Sequence, residues 1–382
     1  MTVERPVPQT RGEDRIARSM SQRVALSRVI CIFFMTFVHV QPGIAENVYD
    51  RPAGLFDTVY FMLTRLIGLS SVSLLSVVSG YFVVSTLART GATGLAGAKL
   101  RTLVVPLVSW NAVMLALLLA YGLLSGHWRD MPEATMAGMA NAFLAMTEWP
   151  LVVPLWFLRD LFVCCLLSPL LASGLRHAPL RIFALLVLYT LFGSDLYLLQ
   201  RPQLLLFFAL GMWLRIAEFD EQAIDRATWP LLAGFVVMTA AFLAIRIDRI
   251  LLSEMNEALL TGLDTLLRIS MAAAVWQLTR FVRRSRAAPA LLWLEPYAFF
   301  LFCSHAVLFH FGGILLRPVF GKSGSDLFSI SFFLQPLLAV AAAIIGLQIV
   351  SRLPLLPFLL NAGRRVALIG TGLTGRRAAK AS

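Results

Sequence analysis

The chain has 382 residues, 58% of them hydrophobic and only 14% charged, with a mean hydropathy of +0.77. A soluble domain carries about 25% charged and 45–50% apolar residues, so the composition excludes a soluble globular protein, a disordered chain and a disulfide scaffold. The formal net charge of +12 would point to nucleic acid on a soluble protein, but in a membrane protein it reflects loops held on the cytoplasmic side, and no nucleic-acid partner is expected.

The apolar runs are continuous and about 20 residues long, which predicts membrane-spanning helices rather than the alternating segments of a barrel. Residues 1–22 are polar and arginine-rich and read as a cytoplasmic tail. The first run, about 24–43, lacks a small-residue cleavage site and carries Arg28 near its start, so it reads as a retained span. The second, 58–86, would be about 43 Å long as one helix, longer than a ~30 Å hydrocarbon core. Its first third, containing Arg65, is therefore expected to be interfacial or tilted. Eight more runs cover about 103–124, 154–173, 180–199, 203–216, 229–246, 259–280, 291–316 and 328–351. The run 203–216 is short and is expected to be buried among its neighbours.

The expected fold is all-α and polytopic, with about ten transmembrane helices and both termini cytoplasmic. A single transmembrane domain, 23–352, is followed by a basic tail, 353–382, solvated or touching lipid headgroups. In this arrangement 22 of the lysines and arginines fall inside, 7 fall outside and 4 lie within spans, the asymmetry the positive-inside rule requires. The longest connection, 125–153, is external, carries Trp128, Trp149 and Pro150, and reads as a lid or an interfacial segment. Cys31, Cys164, Cys165 and Cys303 lie in apolar runs without metal-ligand spacing to histidine.

Ionisable groups inside spans each cost about 2.5–3.5 kcal/mol at a helix centre and mark cavities or partners. Here they are Arg28, His39, Arg65, Arg159, Asp160, Asp264, Arg268, Glu295, His305 and His310. Arg28 and His39 are eleven residues apart, within ~20° of three full turns, so they share a helix face about 16 Å apart along the axis. Snorkelling and an interface histidine explain the pair in one way; a general base or acyl carrier facing a channel explains it in another. Lys99 and Arg101 form a basic mouth before Pro106, as a positive-inside anchor or a phosphate site. Ser79-Gly80-Tyr81 permits close backbone approach by a helix or a ligand. Trp156 opens the fourth span as a belt or cavity-lining residue. Arg159 and Asp160 are adjacent, point about 100° apart and are not expected to pair simply with each other. Glu295 and His305 are some 80° out of alignment and need not share a face.

Taken in order, these islands resemble the acyltransferase-3 family of membrane O-acyltransferases, from about residue 22 to 350. Arg28-x10-His39 is similar to the family's first-span hallmark, and Ser79-Gly80-Tyr81 to its Ser-Gly-aromatic motif. Lys99-x-Arg101 is similar to its basic cluster, Leu155-Trp156-Phe157-Leu158 to its span-four signature, and Phe302-Cys303-Ser304-His305 to its late aromatic-x-x-His. The family's acidic residue before the arginine is missing, Ser27 standing next to Arg28, and a lysine replaces one of its two basic-cluster arginines. The resemblance is to the stand-alone members, so no extracytoplasmic esterase-like domain is expected.

The resemblance implies transfer of an acyl group, usually acetyl, from cytoplasmic acyl-CoA to a hydroxyl of an extracytoplasmic or lipid-linked polysaccharide, at a bacterial inner membrane. It implies donor contacts at Arg28, Lys99, Arg101, Ser79, Gly80 and Tyr81, with His39 as general base or, in competition, as covalent acyl carrier. Trp156, Arg159, Asp160, Glu295 and His305 are expected to line the cavity or meet the acceptor. A thioester is already activated, so no metal or redox cofactor is required. Expected partners are membrane lipids, acyl-CoA and the glycan, with a homodimer or a glycan-assembly complex as the assembly. A succinyl donor would want a further cation, for which Arg65, Arg159 and Arg268 qualify. The rival readings are a transporter or flippase for a glycan, lipid or small anion, and a non-catalytic scaffold.

Overall fold

The computed structural model describes residues 11–40, 54–193, 198–219, 221–247, 256–321 and 325–368. Residues 1–10 of the N-terminal tail, the end of the first run, Arg51, Tyr197, Arg249, Lys322 and the last part of the C-terminal tail lie outside them. Among the described residues every regular element is helical. We number them α1 (Arg11–Val38), α2 (Leu55–Phe61), α3 (Ser70–Lys99), α4 (Val105–Ser125), α5 (Met136–Leu144), α6 (Trp156–His177), α7 (Pro179–Phe192), α8 (Gln203–Ile216), α9 (Glu221–Arg226), α10 (Thr228–Ile247), α11 (Glu257–Val282), α12 (Ala288–Phe320), α13 (Phe328–Val350) and α14 (Leu356–Leu360).

Each apolar run becomes a helix or most of one. Among the described residues six helical segments are long and apolar enough to cross a membrane: Ser19–Val38, Leu55–Ser125, Val153–His177, Glu257–Val282, Ala288–Phe320 and Phe328–Val350. α7 and α8, of 14 residues each, are about 21 Å long and shorter than a hydrocarbon core. α8 is buried almost all round from Leu204 to Met212, which is how a helix apolar on every face behaves.

The long second run is broken as its length demands. α2 leads into a π-helical turn, Met62–Ile67, and α3 starts afresh at Ser70. A Cβ on Gly68 would collide with Val38 and lie 2.7 Å from the Leu63 carbonyl oxygen, so the break is where the end of α1 presses in. α3 kinks again at Gly91, whose φ of 70° suits glycine. Its last arm carries Lys99 into a second π turn, Leu100–Val104, before Pro106 restarts the chain as α4.

α3 and α8 make the closest helix pair. A Cβ on Gly80 would run into the Phe208 carbonyl, and one on Gly211 into the Val77 carbonyl. The two glycines let the backbones touch at one crossing, as small residues do between membrane helices. Beyond it Arg215 Nε reaches Ser85 Oγ at 3.3 Å, so the helices run parallel.

A buried polar knot ties α1 to α9 and α11. Arg23, 3% exposed, forms two hydrogen bonds to Asp225 at 2.9 and 3.0 Å. It also donates to the Trp276 carbonyl at 3.1 Å, and its guanidinium lies 4.2 Å over the Trp276 ring. A buried arginine is tolerable because every face of it is engaged.

The connection 125–153 contains α5, N-capped by Thr135, whose Oγ1 accepts from the Gly138 amide at 3.0 Å. Buried Asn111 of α4 holds the rest, donating to the Phe143 carbonyl and accepting from the Val152 amide at 2.7 Å. The expected solvated tail differs from its first part as observed. Residues after α13 fold back, and Trp110 Nε1 donates to the Leu360 carbonyl at 3.0 Å. Apolar Pro357 and the fully buried Asn361 anchor that segment against the helices.

Candidate active site

Two pairs of residues join α1 to α12. Arg28 Nη1 bonds Glu295 Oε1, with side chains 31% and 21% exposed. One residue past the end of α1, the ring of His39 lies 5.2 Å from that of His305. Both pairs advance in the same direction, so the helices run parallel. Their site has a charged end and an imidazole end about 16 Å apart.

Arg28 and His39 thus use one face, as their spacing predicts. Glu295 and His305 meet that same face despite their 80° offset. The arginine side chain is long enough to reach sideways to its carboxylate, while the histidines touch ring to ring.

The histidines differ. His305 is fully buried. Its Nδ1 lies 2.8 Å from the Phe302 carbonyl and 3.1 Å from that of Leu301. Carbonyls only accept, so Nδ1 carries the proton and Nε2 is an acceptor. That Nε2 is buried with no hydrogen-bond partner among the described residues. A buried polar atom left unmatched is costly and calls for an explanation at a functional site. His39 is only partly buried. Phe302 and Phe309 pack on His305 at 6.4 and 5.8 Å between ring centroids.

At the charged end, Arg364 from the folded-back tail lies within electrostatic reach of both Arg28 and Glu295. Two guanidinium groups around one carboxylate leave a net positive charge. Sequence reasoning missed Arg364 as a site residue because it sits in what reads as a solvated tail; Gly363, at a φ of 80°, is the signal that the chain turns there.

The other expected donor residues lie elsewhere. Lys99 is half-buried beside α6, within electrostatic reach of Cys165, and Arg101 is exposed. Among the described residues neither bonds to the Arg28–Glu295 pair. Ser79 Oγ donates to the Leu75 carbonyl of its own helix at 2.7 Å. Gly80 is filled by α8. The Tyr81 ring lies 5.5 Å beneath the Arg215 guanidinium. The motif therefore lies in the α3–α8 contact.

The expectation that Arg159 and Asp160 do not pair is corrected. Arg159 Nη1 donates to Asp160 Oδ1 at 2.9 Å, because the long side chain curls back across the 100° between neighbours. Asp160, fully buried, also accepts the amides of Gln200 and Arg201 at 3.1 and 3.0 Å. Arg159 donates to the Leu198 carbonyl at 2.6 Å. The pair clamps the loop before α8. Trp156 is half-buried and stacks edge-on between Trp149 and Phe157, each 6.1 Å away, and Phe157 touches Phe302 at 5.9 Å. All four cysteines are buried and free, and among the described residues no three His, Cys, Asp or Glu side chains form a metal-ligand group.

A family model described as an acyltransferase domain matches residues 23–352. The chain is also similar to the succinoglycan biosynthesis protein ExoH of Rhizobium meliloti (strain 1021). The two are 25% identical over 342 residues, covering 88% of this chain and 90% of that one. No solved structure matches.

Proposed function

Since the chain belongs to the acyltransferase-3 family, we propose that it transfers an acyl group from a cytoplasmic acyl-CoA to a hydroxyl of a polysaccharide or lipid-linked glycan on the outer face of a bacterial inner membrane. The single observation that carries this reading is the two-ended seam between α1 and α12. It has cations at one end and paired imidazoles at the other, on helices that run the same way. The relative's role in succinoglycan biosynthesis supports a polysaccharide acceptor.

In this reading the chain crosses the membrane ten times with both termini inside, as the arginine asymmetry favours. The shorter α7, α8 and α10 make the remaining crossings, α8 within the shelter of its neighbours. The phosphates of the donor meet Arg28 and Arg364, with Lys99 and Arg101 as outer attraction for the anion. The pantetheine arm follows α1, and the thioester reaches His39.

His39 is the general base. Its free ring nitrogen takes the proton of the acceptor hydroxyl as that oxygen attacks the thioester carbonyl. The C–S bond then breaks, an ester C–O bond remains, and the histidinium returns its proton to the departing CoA thiolate. His305 is a positioning residue, its ring fixed by two carbonyls of its own helix. We propose acetyl as the acyl group, because two of the three cations that a dicarboxylic acyl group could use, Arg159 and Arg268, are each already paired with a carboxylate.

The test is purified protein with radiolabelled acetyl-CoA and membrane glycolipid extract, wild type beside His39→Ala, both shown to be monodisperse. Label entering glycan with wild type alone is the expected result. Equal transfer by both proteins would remove His39 from the chemistry. Absence of transfer with acetyl-CoA and succinyl-CoA alike, together with no CoA binding, would sink the enzyme and favour a transporter.

A further inference from the structure

Away from the histidines, the ends of α7, α8 and α11 enclose a polar cavity of about 710 Å³. This lies within the ~300–1,000 Å³ range of small-molecule sites. Gln200, Arg201, Gln203, Asn256, Thr261 and Asp264 supply its polar lining.

Its polar groups are fixed in advance. Gln203 Nε2 donates to Asp264 Oδ2 at 3.1 Å and to Thr265 Oγ1 at 3.0 Å. Arg268 Nε donates to the same carboxylate oxygen at 2.6 Å, and among the described residues no hydrogen bond reaches Oδ1. Arg201 is held by its own amide on Asp160, and its guanidinium stacks 5.3 Å over the Trp149 ring. The Asp160 clamp therefore aims this cavity wall.

The charges of Arg201 and Arg268 are balanced by Asp264 and Glu257, so the cavity favours neither a strong anion nor a metal cation. Amides, a hydroxyl and a carboxylate–arginine pair, with an aromatic face beside them, suit a ligand whose groups both donate and accept. Sugar hydroxyls are such groups. From Arg201 an unbroken path of ring contacts runs through Trp149, Trp156, Phe157 and Phe302 to His305.

We propose that this cavity binds a neutral sugar residue of the acceptor glycan other than the one that receives the acyl group, and so selects which glycans are accepted. The proposal rests on the reading of the chain as a glycan acyltransferase. The bound residue anchors the glycan, so that a hydroxyl of another sugar residue is brought to His39.

The test uses the full chain in lipid nanodiscs. The probe is the pool of neutral oligosaccharides released by mild acid from the source strain's envelope polysaccharide and stripped of ester groups with alkali. Binding is titrated by saturation-transfer NMR for wild type, Asp264→Asn, Thr261→Trp and His39→Ala. The first two substitutions are expected to weaken binding at least tenfold, while His39→Ala binds as wild type. Thr261→Trp fills the cavity while keeping the Asp264 and Arg268 side chains, so it keeps the test alive if Asp264→Asn fails to fold. Release of free CoA from acyl-CoA without glycan is read in parallel and is expected to be unchanged in Thr261→Trp. Wild-type binding of none of the pool, or equal binding by the cavity variants, overturns the site. Binding lost in Thr261→Trp while no protein turns over acyl-CoA overturns the enzyme reading and leaves the site standing.

Discussion

The His39 ring sits 5.2 Å from that of His305, and only the second of the two is sealed from its surroundings. On the proposed function the two imidazoles act as a unit, one meeting the substrate and the other setting its place. Replacing either with alanine should lower acyl transfer about 10²–10⁴-fold, the usual worth of a positioned acid–base group. The double variant should be little worse than the singles, as for residues that work together. Label transferred to glycan per mole of folded protein measures it; a double loss equal to the product of the singles would show that the two act independently.

Arg28 and Glu295 invite a paired substitution. Arg28→Leu removes the ion-pair partner of Glu295 and leaves the carboxylate with Arg364 alone, so the KM for acyl-CoA should rise tenfold or more while kcat changes less. Adding Glu295→Gln should restore the thermal midpoint, because the stranded charge is gone, without restoring the KM. A double variant that regains donor affinity would show that Arg28 serves folding alone.

For the α3–α8 crossing, Gly80→Ala or Gly211→Ala puts a methyl group against a backbone carbonyl, with no flexible side chain to give way. Each should cost about 1–3 kcal/mol, typical of overpacking, seen as a lower unfolding temperature. The KM for acyl-CoA of the folded fraction should hold; a large rise without loss of stability would return Gly80 to the donor site.

Asp160→Asn keeps one acceptor but loses the charge that three donors share. We expect faster hydrogen exchange at the amides of Gln200 and Arg201 and a destabilisation of about 1–3 kcal/mol, the range for an unsatisfied buried partner. Unchanged exchange at both amides would mean the clamp is not what holds that loop.

Much of this was legible in the residues because hydropathy and a fixed helical period carry far along a chain. The runs, the shortness of α8 and the common face of Arg28 and His39 all follow from counting. The partners did not. Glu295 is 267 residues from Arg28, and nothing local marks it as the arginine's counterion. Gly211 stands in an unremarkable Leu-Gly-Met-Trp stretch, and its importance appears only when α3 lies against it. Asp160 bonds backbone amides, which every residue has, so no sequence pattern can name its partners. The folded-back tail was hidden because its arginines read as solvated charge while Trp110, which holds it, is far upstream.

The distance along the chain between Arg28 and Glu295 also sets an order of events during synthesis. At about 5–20 residues per second, roughly ten seconds to a minute separates the emergence of the arginine from that of its carboxylate. Until then the first helix waits in the bilayer with its charge unmatched, its side chain stretched toward the headgroups. A nascent chain that stops before α12 carries half of each pair and no complete site, so quality control meets a lone intramembrane charge in every unfinished copy.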